Sequence, residues 1–116
     1  MDNTARIEEL AALLNAPRFV GNGWLRRNVA QYEFVTYANH IIAMYYTQNL
    51  DSLPLFLRRA ARYLNSDSAA YLTEEYCAIA SEFIAAMSTY MLDGRTTSDQ
   101  MHEWAAEALA LAQDGV

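Results

Sequence analysis

The chain has 116 residues, 53% of them hydrophobic and 19% charged, with a net charge of −6 and a pI of about 4.7. That is the size of one domain with enough apolar material for a core, and it argues against disorder. Four Gly, two Pro and few β-branched residues argue against an all-β fold, and one Cys excludes an internal disulfide or a cysteine zinc site.

The first stretch carries Asp2, Arg6, Glu8 and Glu9, which is wrong for a signal peptide. Apolar runs such as Ile41 to Tyr46 fall well short of the roughly 20 residues a membrane span needs. A reducing cytoplasm is the expected compartment. All 8 basic residues are Arg, so any basic contact can be planar and bidentate.

Helix one is predicted from about Thr4 to Asn15, because Ile7, Leu10, Ala11 and Leu14 recur at helical spacing. Asn3 or Thr4 is its expected cap, with Glu8 and Glu9 early and Pro17 stopping it. Gly21-Asn22-Gly23 marks a turn, and it lacks the strand before and the Lys-Ser/Thr pair after that a phosphate loop requires. Phe19 and Trp24 flank this turn and are expected to pin it to the core.

Helix two is predicted from about 24 to 48. Its expected buried line is Leu25, Val29, Tyr32, Val35, Ala38, Ile42 and Tyr45. The other side offers Asn28, Gln31, Phe34, Tyr37, Ile41 and Met44, with Glu33 as its one acid. So little charge predicts a helix covered on most sides, central or facing a partner. Tyr45 and Tyr46 diverge by about 100° on a helix, so one of them should lie outside the core.

Helix three starts near Ser52 with Pro54 in its first turn. It has a buried stripe of Leu53, Phe56, Leu57, Ala60 and Leu64, with Arg58, Arg59 and Arg62 on the other side. Helix four runs to Leu92 from either Ala69 or Thr73. If Thr73 caps it ahead of Glu74 and Glu75, residues 69 to 72 become a separate turn. Leu72, Tyr76, Ile79, Phe83, Met87 and Tyr90 form its face, and Gly94 ends it. Helix five is signalled by a capping box at Thr97-Ser98-Asp99-Gln100. It should run to about Gln113 and close at Gly115, with Met101, Trp104, Ala105, Ala108 and Leu111 inward. The whole reads as one all-α domain over 1–116, a compact bundle of about five helices with helix two central.

Chemistry is sparse in this pattern. Asp99 and His102 share a helix face, but a di-metal bundle needs about four carboxylates and two histidines in matched motifs on different helices. Glu33 and His40 do not supply them. The expected states are an exposed His102, a packed and hydrogen-bonded His40, and Cys77 as a small core hydrophobe. No nucleophile elbow, paired zinc motif or dinucleotide fingerprint occurs. No catalytic residue, metal site or cofactor is therefore expected.

Charge is distributed unevenly. Residues 1–17 carry three acids against Arg6, a net −2; residues 18–62 carry six Arg against Glu33 and Asp51, a net +4; residues 63–116 carry nine acids against Arg95, a net −8. An acidic pI opposes binding to the phosphate backbone, and no long helix joins a basic face to a strongly apolar one, so neither nucleic acid nor membrane is the expected target. The candidate partner-binding acids are Glu74, Glu75, Glu82, Asp99, Glu103 and Glu107. Arg58, Arg59 and Arg62 form a small basic patch.

These features imply a non-enzymatic module that binds a basic protein partner. Its most specific form is an inhibitor covering the surface of a nucleic-acid-handling protein. In size, charge and helicity the chain resembles small acidic helical proteins of the toxin-immunity and phage counter-defence kinds. The alternative is a self-assembling structural or adaptor subunit, a homo-oligomer in which the Arg patch meets the acidic half of another copy.

Overall fold

A computed structural model describes residues 3–16 and 19–114. Pro17, expected to stop the first helix, and Gly115, expected to close the last, lie outside them. Five α-helices follow in order: α1 (Thr4–Asn15), α2 (Trp24–Thr47), α3 (Leu53–Leu64), α4 (Glu74–Leu92) and α5 (Asp99–Asp114). A 3₁₀ turn at Asp67–Tyr71 precedes α4. The described residues form an all-α bundle.

The local signals explain most helix ends. Thr73 caps α4, its hydroxyl accepting from the Tyr76 amide at 3.1 Å, with Glu74 and Glu75 in the first turn. The separate turn before it follows. Gly94 closes α4 in the left-handed region, φ 76°. α5 is capped by Ser98, whose hydroxyl accepts from the Met101 amide at 3.2 Å. Position 101 is Met, so the reciprocal half of the expected capping box is missing. At α1 the expected Asn3 cap does not form, since Asn3 makes no side-chain cap bond, and the Thr4 hydroxyl pairs with the Tyr45 hydroxyl at 2.7 Å.

α3 packs on α2, α4, α5 and the 3₁₀ turn, and α4 packs on α1, α3 and α5. α2, the longest helix, lies against α1, α3 and the 3₁₀ turn. One face of α2 supplies Ala30, Phe34, Ala38, Ile41 and Tyr45 to the core. Phe34 is the pivot, its ring 6.2 Å from Tyr76 and 6.4 Å from Tyr63.

This phase corrects the expected one for α2. Val29 is 48% exposed, Leu25 and Tyr32 are open, and Ile42 is half-buried, while Phe34 and Ile41, expected on the far side, are fully buried. Both sides of α2 are apolar, so periodicity cannot choose between them. Gln31 shows what does. Its amide is buried because it donates to the Leu14 carbonyl, 3.3 Å away on α1, a partner that sequence spacing does not reveal.

Candidate functional site

One end of the bundle collects the C-terminal turn of α1, the connection to α2, the first turns of α2, the 3₁₀ turn and the start of α4. Among the described residues, the large apolar side chains left exposed are Leu13, Val20, Trp24, Leu25, Val29, Tyr32, Tyr46 and Tyr71; all but Tyr46 belong to this end. The exposed large apolar side chains among the described residues are thus concentrated at this end of the bundle.

The described part of the connection, residues 19–23, turns on two glycines. Gly21 and Gly23 adopt φ 87° and 77°, which L side chains rarely reach. Asn28 holds the strand of chain before them. Its carbonyl accepts from the Phe19 amide at 3.2 Å, and its NH2 donates to the Phe19 and Trp24 carbonyls, each at 2.9 Å. Phe19 packs inward, edge-on to Tyr76 at 6.2 Å, as expected. Trp24 does not; it is half open to solvent.

Two surfaces share this end. Between α1 and α4 lies an open groove of about 370 Å³, lined by Leu13, Phe19, Thr73, Glu75, Tyr76 and Ile79. On the outside of α2 stands a ridge of Leu25, Val29 and Tyr32, opposite the buried face. Arg26 flanks the ridge, donating to the Tyr71 hydroxyl and lying 5.1 Å over its ring.

The six candidate acids do not form one surface. Glu74 and Glu75 stand exposed at the groove end with no ion pair among the described residues. Glu82 is bound by Arg6 of α1 through two hydrogen bonds, 2.6 and 2.7 Å, which hold its carboxyl below the usual range. Glu107 is bound by Arg62 at 2.7 and 3.2 Å and approached by the Arg58 Nε at 3.4 Å. Its carboxyl is likewise held low, chiefly by the Arg62 hydrogen bond. The Asp93–Ser98 connection turns the chain back, so Asp99 starts α5 where α4 ends, about 28 Å from Glu74 along the helix, and Glu103 follows one turn later.

Of the basic patch, Arg58 and Arg62 are therefore engaged within the molecule, and Arg59 lies 5.5 Å over the Phe56 ring. Sequence reading missed this α3–α5 clasp because the partners are 45 residues apart.

The remaining candidates are quiet. His40 is exposed, its ring 5.3 Å from Phe56, rather than packed and hydrogen-bonded. It sits on the flank of α2 away from the buried line, which the revised phase explains. His102 is exposed, with its Nδ1 3.5 Å from the Thr96 hydroxyl. Cys77 is half-buried, and burial pushes its thiol up, away from the reactive thiolate. No group of three His, Cys, Asp or Glu placed to hold a metal occurs among the described residues, and no described helix is long and apolar enough to cross a membrane. A larger open cleft of about 740 Å³ lies between Tyr45, Tyr90 and Arg95. The Arg95 guanidinium there is already occupied: it stacks on Tyr90 at 4.0 Å and donates to the Tyr90 and Asp93 carbonyls.

No protein-family model, curated protein or solved structure matches the chain at significance.

Proposed function

We propose that the chain is a non-enzymatic protein-binding module, an inhibitor that covers the surface of a basic, nucleic-acid-handling protein. The observation that carries this reading is the α1–α4 groove, an open apolar slot with Glu75 in its lining and Glu74 beside it in the chain, neither ion-paired among the described residues. It fits an apolar side chain of the partner flanked by Lys or Arg. Apolar burial in the slot supplies affinity, and the carboxylates supply direction. Asp99 and Glu103, at the other end, add to the −6 field that draws a basic partner in, and do not touch it. Glu82 and Glu107 serve the bundle's own cohesion. A reducing compartment such as the cytoplasm suits the free Cys77 thiol.

The test is affinity capture from the native cell with the wild-type chain and two folded variants, Leu13→Asp and the pair Glu74→Arg, Glu75→Arg. The expected catch is a basic protein that Leu13→Asp fails to retain. The doubly reversed variant should bind it more slowly, with dissociation little changed, and added salt should slow wild-type association in the same way. Retention of the same protein by Leu13→Asp at wild-type strength, or an acidic catch, overturns the reading.

A further inference from the structure

The outer ridge of α2 lies away from the groove and presents a different chemistry. Leu25, Val29 and Tyr32 follow one another at spacings of four and three, the pattern of a helix face that packs on another helix. That face is 59%, 48% and 73% exposed at these residues, and Trp24 beside it is 53% exposed. Together these four side chains leave on the order of 500 Å² open. A standard specific interface buries roughly 800 Å² per partner, so the polar margins of the face must supply the rest. An isolated chain gains nothing from such a face in water.

We infer that the ridge is covered by a second copy of this chain, α2 lying antiparallel on α2 across a two-fold axis. The charges select this occupant. Arg26 and Arg27 precede the centre of the ridge and Glu33 follows it. A two-fold axis between Val29 and Ala30 sets Arg26, on one flank of the ridge, against Glu33 on the same flank of the second copy, and repeats the contact. An isologous interface requires that self-complementarity. A basic foreign partner would meet Arg26 here, which separates this face from the groove. The inference does not depend on the groove having a partner. A dimer joined at α2 leaves both grooves open.

Sedimentation equilibrium across protein concentrations tests it. The wild-type chain is expected to dimerise and Val29→Asp to remain monomeric with an unchanged circular dichroism spectrum, since Val29 touches no core. Arg26→Glu and Glu33→Arg should each weaken the dimer at least tenfold, and the double charge swap should recover most of the loss. Because Arg26 also binds Tyr71, Tyr71→Phe serves as a control and should leave the dimer intact. A wild-type chain that stays monomeric throughout, a Val29→Asp variant that still dimerises, or a charge swap that recovers nothing overturns the inference. Failure of the groove reading would leave this experiment untouched, since it measures only the oligomeric state.

Discussion

The hydroxyl of Tyr76 on α4 donates to the main-chain carbonyl of Leu14, 2.8 Å away in the last turn of α1. That carbonyl belongs to the last turn of a helix, where no intrahelical donor remains. The Gln31 amide reaches the same oxygen at 3.3 Å, so two other helices terminate α1. Tyr76→Phe leaves a buried acceptor with one weak donor and is expected to cost about 1–2 kcal/mol of stability, measured by urea unfolding. An unchanged midpoint would show that the bond contributes nothing.

The same tyrosine should resist titration. Burial pushes the Tyr76 phenol well above its ordinary value, and burial also pushes Tyr63 up to about 12. Both groups favour the neutral form in the fold. Their contribution to stability is complete below the ordinary tyrosine range and is lost as pH rises from about 10 through the raised values. Ultraviolet titration should therefore show two of the 8 Tyr ionising only with alkaline unfolding. Eight phenols titrating together near 10 would contradict the packing.

Glu82 and Glu107 set the acid limb. Each folded carboxyl is held below its unfolded value, chiefly by hydrogen bonds from Arg6 and Arg62 respectively. The stability they contribute is full above the ordinary carboxylate range and disappears as pH falls through the lowered values. Both side chains are a third or more exposed, so screening keeps the effect small. The double variant Glu82→Gln, Glu107→Gln should melt lower than wild type at pH 7 and equal it near pH 2. A difference that persists in acid would point to a cause other than charge.

The phase of α2 is open to a direct comparison. Phe34→Ala, at a fully buried position, is expected to cost about 3–5 kcal/mol. Val29→Asp, half exposed on the opposite face, should stay within about 0.5 kcal/mol at monomer concentrations. Equal losses would mean that α2 is rotated from the position described.

The two tryptophans differ in exposure. Trp24 is more than half open and Trp104 only partly. Fluorescence of Trp24→Phe should be bluer and less accessible to quencher than that of Trp104→Phe. The reverse order would contradict both placements.

Helix positions and most helix ends were legible in the residues, because they depend on interactions within a few positions of one another. Thr73 starts α4, Gly94 closes it, and Ile7, Leu10 and Leu14 mark the inward stripe of α1 without reference to any other helix. Tyr45 buried beside an exposed Tyr46 follows from helical geometry in the same way. The acidic half and the basic middle were legible as totals.

What each charge and each apolar face meets came from the packing of helices distant in sequence. Arg62 finds Glu107 across 45 residues and Arg6 finds Glu82 across 76, so charges that read as a surface for others became clasps inside one molecule. α2 carries apolar residues on both sides, and its rotation was settled by what waited for it: the gap between Tyr63 and Tyr76 that Phe34 fills, and the Leu14 carbonyl that takes the Gln31 amide. Burying that face left Leu25, Val29 and Tyr32 outside. Local patterning sets which residues are helical because helix energetics are short-ranged; which side of a two-sided helix is buried depends on shape and hydrogen-bond partners that exist only once the other helices are in place.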